Sequence, residues 1–291
     1  MVEMRRDMER LDIAIIGSGP AGISAAITSK IRNKNILLIG NTIISEKVLK
    51  AQEILNYPGV PKTTGKDLAQ IFESQLRELQ IETASTRVNT IYAMGDYFVL
   101  QAGNMTYEAK AVILASGVQM DKPLPGEKEF LGRGVSYCAT CDAQFYKGKD
   151  VAVFGYNHEA VDEAAYLAEF AAKVYYYPMG KEKVYLPDYL ILAEERPLEI
   201  LGDMKVKQIK TDQSLHNIDG VFILRDSVMP DQLVPGLHME EGHVQVNLQM
   251  ETNIPGLFAC GDITGKPYQY IKAAGQGNTA ALSAVSYLHK L

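Results

Sequence analysis

The chain has 291 residues, with 29 Lys and Arg against 35 Asp and Glu, a net charge of -6. That balance gives no electrostatic basis for holding a polyanion, so nucleic acid is not an expected partner. Hydrophobic residues make up 47% and charged residues 22%, an ordinary globular composition, and the length suits two domains of common size.

The first element is a buried-type strand over Leu11–Ile16, apolar except for Asp12. It meets the glycine-rich stretch 17–22, a helix of small residues over 23–30 and a second apolar strand over 35–39, which together make one βαβ unit. Apolar residues at Leu68, Ile71, Phe72, Leu76 and Leu79 predict a helix over 67–79. Alternation across 90–108, broken at Gly95-Asp96 and Gly103-Asn104, predicts short antiparallel strands with tight turns. Residues 111–115 form another buried strand. A Pro- and Gly-rich loop over 121–134 is the first candidate domain boundary. The strand–Gly–helix pattern then repeats, with a strand at 151–154, Gly155, a helix from about 158 to 172 and a strand at 173–177. Two such units suggest two nucleotide-binding-type domains. The chain closes with a strand at 256–260, a Gly-Asp turn and a long helix from about Lys272. No stretch reads as a signal peptide or a membrane span, and the cytoplasm is the expected location.

Gly17-Ser18-Gly19-Pro20-Ala21-Gly22 is GxGxxG directly after a strand and opening a helix, the context that motif needs to cradle a pyrophosphate. The carboxylate expected at the end of the second strand for a ribose is replaced by Gly40. The motif alone leaves NAD and FAD both open.

Three cysteines are too few for a disulfide scaffold and point to a reducing compartment with one special pair. Cys138-Ala139-Thr140-Cys141 is CxxC followed by Asp142. The spacing suits a reversible disulfide; half of a zinc site is the competing reading. Zinc would need two further ligands, and the five histidines include no pair at knuckle spacing, so no metal is expected. Asp142 reads either as solvated turn chemistry or as a proton donor to a departing thiolate. Cys260, at the end of an apolar strand, reads as a small buried hydrophobe.

The chain resembles the low-molecular-weight thioredoxin reductases nearly end to end. The resemblance rests on GSGPAG at 17–22, NYPG at 56–59, ASG at 115–117, GRGVSYCATCD at 132–142, IPGLFACGD at 254–262 and AAGQGNTAA at 273–281, in the family's order. It implies an α/β fold of two Rossmann-like, three-layer ββα domains in a homodimer. An FAD domain, 1–119 plus 247–291, would be interrupted by a smaller pyridine-nucleotide-type domain, 120–246, that carries the CxxC pair. It also implies FAD held by Gly17, Gly19, Pro20, Ala21, Gly22, Asn56, Gly117, Gly261, Asp262 and Ala273, with Asp262 on the ribityl chain. Cys141 would face the flavin, Cys138 would attack the disulfide of thioredoxin, and Asp142 would be the acid. Rotation of the smaller domain would alternate these encounters, with hinges at 118–134 and near 243–250.

The second βαβ unit departs from that family. Its turn reads Gly155-Tyr156-Asn157-His158-Glu159-Ala160, keeping only the first glycine. Tyr156 stands where backbone should approach a pyrophosphate, and Glu159 adds negative charge in the first helical turn. After the second strand comes YYYPMG at 175–180, with no arginine to grip a 2′-phosphate; Lys181 and Lys183 follow but lack its bidentate fork. CATC kept and nucleotide motifs lost resembles the ferredoxin-dependent flavin thioredoxin reductases of anaerobic bacteria. Ferredoxin is therefore the expected electron donor, with an atypical NADPH site as the alternative. Arg5, Arg6, Arg10, Lys181, Lys183, Lys205, Lys207, Lys210, Lys266 and Lys272 are candidates for an acidic partner's docking patch. Tyr268 and Tyr270 read equally as flavin-stacking or as packing residues.

Overall fold

The computed structural model describes residues 10–40, 43–103, 105–118, 123–156, 159–180, 184–225 and 229–291. The chain divides into two compact units, Met1–Gln119 with Met229–Leu291 and Met120–Val228.

The first unit begins with β1 (Leu11–Ile16), α1 (Pro20–Ile31) and β2 (Ile36–Gly40). A short helix, α2 (Glu46–Leu49), and α3 (Gly65–Glu78) follow, then β3 (Thr83–Ser85), β4 (Val88–Ala93), β5 (Phe98–Ala102) and β6 (Met105–Leu114). Helix α3 starts at the N-cap Thr64, whose hydroxyl accepts from the Asp67 amide at 3.2 Å. Its apolar face buries Leu68, Ala69, Phe72 and Leu76. The strand expected at 111–115 is the buried end of the longer β6. That strand pairs antiparallel with β5 in its first half and parallel with β1 in its second.

In the second unit come β7 (Val135–Ser136), α4 (Ala139–Asp142), β8 (Asp150–Gly155), α5 (Glu159–Ala168), β9 (Lys173–Pro178) and β10 (Ile191–Leu192). The remaining strands are β11 (Pro197–Gly202), β12 (Val206–Thr211), β13 (Leu215–Asn217) and β14 (Gly220–Leu224). A parallel sheet of order β10-β9-β8-β14-β7 is covered by the antiparallel β11-β12-β13 meander on one face and α5 on the other. Strand periodicity explains the three layers. Val151 and Val153 of β8 and Phe222 and Leu224 of β14 enter the helix-side core with Ala160, Ala164 and Leu167. Their alternates Ala152, Phe154, Val221 and Ile223 enter the meander-side core with Ile200, Val206 and Ile209. Helix α5 stops at Ala168, short of 172, because residues 169–171 close hydrogen-bonded turns onto Tyr166 and Leu167.

The chain returns to the first unit with α6 (Pro230–Leu233), β15 (Met239–Glu240), β16 (His243–Val244), β17 (Leu257–Ala259) and α7 (Tyr270–Leu288). Residues 229–246, expected in the insert, therefore belong with the first unit: α6 packs on β4, and β16 packs on the turn at 261–264. Strand β17 joins β6 in a mixed sheet of order β3-β2-β1-β6-β5-β4. Helices α1 and α7 pack on each other through small residues. A Cβ on Gly277 would lie 2.0 Å from the Ala21 carbonyl oxygen, so only glycine permits that approach. No helix among the described residues is long and apolar enough to cross a membrane.

Candidate functional site

In the first unit three loops converge where parallel strands end, the usual position of a ligand crevice in such sheets. They leave β1 at Gly17, β6 at Ala115 and β17 at Cys260, and backbone bonds stitch them together. The Ala115 amide donates to the Ile16 carbonyl at 2.7 Å and the Cys260 amide to the Leu114 carbonyl at 2.9 Å. The motif glycines differ in what they do. Gly17 has φ +113° and a Cβ there would sit 2.3 Å from the Ala115 carbonyl oxygen; at Gly22 it would sit 1.8 Å from the Gly17 carbonyl oxygen. Those two glycines close the turn against its neighbours. Gly19 has nothing nearer than the Ser45 Cβ at 4.0 Å, and is the one whose backbone is open to a ligand. Pro20 opens α1, no side chain caps the helix at Gly19 and no acidic residue lies in its first turn. A pyrophosphate fits that helix end.

The opposite wall carries Asp262, in the turn at Gly261–Thr264. Burial holds its carboxyl above the usual range against the opposing pull of Lys272 and Lys47. Lys272 donates to the carbonyls of Gly261 (3.0 Å) and Gly265 (2.6 Å). Gly261 has φ +86°, and a Cβ there would press on Ala21 and reach Ala273 at 3.7 Å. The Lys47 ammonium donates to the Val118 carbonyl at 2.7 Å, beside Gly117. Asn56 donates to the Gln269 side chain at 2.8 Å, and the Tyr270 hydroxyl donates to the Lys47 carbonyl at 3.1 Å. Tyr268 bonds His243 at 2.7 Å. These contacts give both tyrosines protein partners. Lys47 and Lys272 lie outside the sequence motifs; Gln276, whose side-chain oxygen accepts from the Gly261 amide at 3.0 Å, lies within AAGQGNTAA but was not among the expected site residues.

Cys138 and Cys141 form a disulfide in the second unit, with Sγ atoms 2.06 Å apart. Cys138 is the N-cap of α4, and its sulfur accepts from the Cys141 amide at 3.1 Å. Cys138 is buried while Cys141 is exposed. Asp142 is half-buried and its charge, after burial itself, helps hold the Tyr146 phenol up at about 12. Cys260 is fully buried, with its thiol pushed up to about 12 by desolvation.

At the ends of β8 and β14 the second unit has its own switch point, and its own side chains occupy it. The Arg225 guanidinium lies 4.6 Å over the Tyr156 ring and donates to the Tyr156 hydroxyl at 3.3 Å. The same guanidinium makes a bidentate pair with fully buried Glu127, at 2.5 and 2.9 Å. Glu127 also accepts from the Tyr137 hydroxyl at 2.9 Å. Desolvation would lower the Arg225 pKa, but the Glu127 and Tyr156 contacts outweigh it and raise it. This quartet, buried except for the half-buried Tyr156, escaped sequence reading, because nothing in the spacing of residues 127, 137, 156 and 225 marks them as partners. Asn157, His158, Lys181 and Lys183 lie outside the described residues, as does the Glu159 side chain.

A family model for pyridine nucleotide-disulphide oxidoreductases matches residues 11–277. The chain belongs to that family. A thioredoxin reductase of Aquifex aeolicus is 36% identical over 302 residues, 95% of this chain and 93% of its own length. Two crystal structures of ferredoxin-flavin thioredoxin reductase from Clostridium acetobutylicum are similar across 97% of this chain and 99% of theirs. One has 50% identity and a TM-score of 0.92, the other 53% and 0.86. This pyridine nucleotide-disulphide oxidoreductase is of the thioredoxin-reductase type, with a redox-active disulfide and two Rossmann-like units, and membership implies a flavin cofactor.

Proposed function

We propose that the protein carries electrons from reduced ferredoxin, through FAD held by its first unit, to the Cys138–Cys141 disulfide and on to a thioredoxin. The observation that carries the choice of donor is the filled crevice of the second unit. Tyr156 and Arg225 stand where a pyridine nucleotide would lie, and the guanidinium that could have met a phosphate is neutralised by Glu127. The similarity to ferredoxin-flavin thioredoxin reductases supports the same reading.

In this reading the turn Gly17, Gly19, Pro20, Ala21 and Gly22 holds the pyrophosphate of FAD, and Asp262, beside Gly261 and Ala273, holds the ribityl chain. Asn56 and Gly117 line the same strand-end crevice. The flavin, when bound, supplies a centre that can be charged by single electrons and discharged by two. The exposed Cys141 is the sulfur open to that exchange, and buried Cys138 becomes accessible to a protein only after the motif is re-exposed. Once the pair is reduced, the Cys138 thiolate attacks one sulfur of the thioredoxin disulfide and forms a mixed disulfide. Asp142 protonates the thiolate that leaves. Cys141 then attacks the Cys138 sulfur, re-forming the Cys138–Cys141 bond and releasing the second thioredoxin thiol.

The docking candidates thin out under this reading. Arg10 pairs with Glu108, Lys207 with Asp203 and Lys210 with Glu199, while Lys272 is bonded to backbone carbonyls. Arg5 and Arg6 lie outside the described residues. The deciding test is an anaerobic titration followed at the flavin absorbance. Reduced ferredoxin should bleach it, and excess NADPH or NADH should not; rapid stoichiometric bleaching by NADPH sinks the proposed donor. Turnover of a thioredoxin disulfide should vanish in Cys138→Ser and in Cys141→Ser with flavin content unchanged.

A further inference from the structure

Helix α4 is one turn long and begins at the redox pair, so its first amides are the groups able to stabilise a thiolate on Cys138. The first of them, the Ala139 N–H, donates to the Glu163 carboxylate at 3.4 Å. The contact is built into the packing. Ala139 and Ala143 of α4 share one core with Ala160 and Ala164 of α5, all buried. These small side chains let the two helices approach and leave Glu163 at their seam.

We propose that Glu163 tunes the redox pair: its carboxylate, bonded to the amide that follows Cys138, opposes negative charge on the Cys138 sulfur and keeps the dithiol strongly reducing. This rests on the disulfide reading of the proposed function but not on ferredoxin as the donor. Two effects act together. The carboxylate offsets the partial positive charge at the start of α4, where its partner is the Ala139 amide, and its charge repels the thiolate directly. A thiol that ionises less readily leaves the reduced form less stabilised, so the couple gives up its two electrons and two protons more readily. The higher basicity also makes the thiolate a better nucleophile once formed. That is the poise needed by a pair that must reduce another protein's disulfide.

Among the described residues, the other charged and titratable groups around the motif are these. Asp142 lies in α4 itself, and Tyr146 follows in the next turn, its ionisation opposed by burial and by the charges of Asp142 and Asp219. Lys149 sits over the Tyr146 ring at 5.4 Å. On the sheet side Tyr137 turns its hydroxyl to Glu127. Asp162, next to Glu163 on α5, is exposed. Glu163 is distinguished from all of these by its bond to the amide of the residue after Cys138.

The test uses the full-length flavoprotein reduced with dithiothreitol, which bypasses any physiological donor. Glu163→Gln keeps size and hydrogen-bonding capacity and removes the charge. The pH midpoint for iodoacetamide labelling of Cys138, assigned by peptide mass, should fall by about one unit, the scale of a close charge effect. At a pH above that midpoint the dithiothreitol equilibrium should move about tenfold toward the dithiol. Glu163→Asp should restore both values toward those of the unsubstituted enzyme, and Asp162→Asn should leave both unchanged. A Glu163→Gln enzyme with an unaltered labelling profile and equilibrium overturns the proposal, as does an equal shift in Asp162→Asn. Bleaching by NADPH would overturn the ferredoxin reading and leave this one standing.

Discussion

The motif glycines separate into two kinds by what surrounds each Cα, and mutation should separate them again. Gly17→Ala places a methyl 2.3 Å from a backbone oxygen at φ +113°, so the turn must deform. A loss of at least about 2 kcal/mol of stability in chemical denaturation is expected, together with loss of flavin. Gly19→Ala meets only open space; its folded stability without flavin should hold while flavin affinity drops, measured by cofactor release. The Glu127–Arg225 pair is fully buried, and removing one partner strands the other. Arg225→Met should cost about 3–5 kcal/mol, read from the urea midpoint. Asp12 gives a pH prediction. Burial alone would raise its carboxyl, but bonds from Lys110 at 2.9 Å and the Asn35 amide outweigh that and lower it. A depressed folded value means that Asp12 adds stability above the ordinary carboxylate range and loses it as pH falls through the folded value. Asp12→Asn should therefore lower the melting temperature at neutral pH and converge with the unsubstituted protein in acid.

Elements were legible where their own periodicity decided them. Helix α3 is written in the spacing of Leu68, Phe72 and Leu76 and in Thr64, and Thr64→Ala should cost about 1 kcal/mol by thermal unfolding. The β1–α1–β2 unit likewise follows from a buried strand, a glycine turn and small residues. The β11-β12-β13 meander was not read. Its buried residues fall three apart at Pro197 and Ile200 and at Val206 and Ile209, with register shifts between the strands, so no period-2 pattern shows, and each takes its meaning from a sheet face formed by distant strands. The division of β6 failed for a related reason, because one strand changes neighbours along its length and so changes pattern.

At the scale of the whole chain, each unit buries a core of its own, so a ligand held by one should stabilise that one. Removing flavin should raise amide exchange in β1 and in the end of β6 while leaving β8 and β14 as protected as before, read by hydrogen exchange with mass spectrometry. Equal loss of protection in both units would contradict a flavin site confined to the first. The return from the second unit at 229, earlier than expected, has the same origin: residues 229–246 carry no motif and are recruited by packing on β4 and on the 261–264 turn.

The sequence by itself determined the chemistry. CxxC at 138–141 and GxGxxG at 17–22 act through backbone geometry over a few residues, so their spacing, with the lack of further zinc ligands, pointed to a disulfide and to an expected phosphate-binding turn. It also announced that the second nucleotide turn was damaged. Only the tertiary structure decided what replaced it. Glu127, Tyr137, Tyr156 and Arg225 are drawn from four separate segments, and a buried charge must find its partner in space whatever the distance along the chain. The same holds for Glu163 beside the redox pair: a hydrogen bond between two helices is set by their packing, which no local pattern encodes.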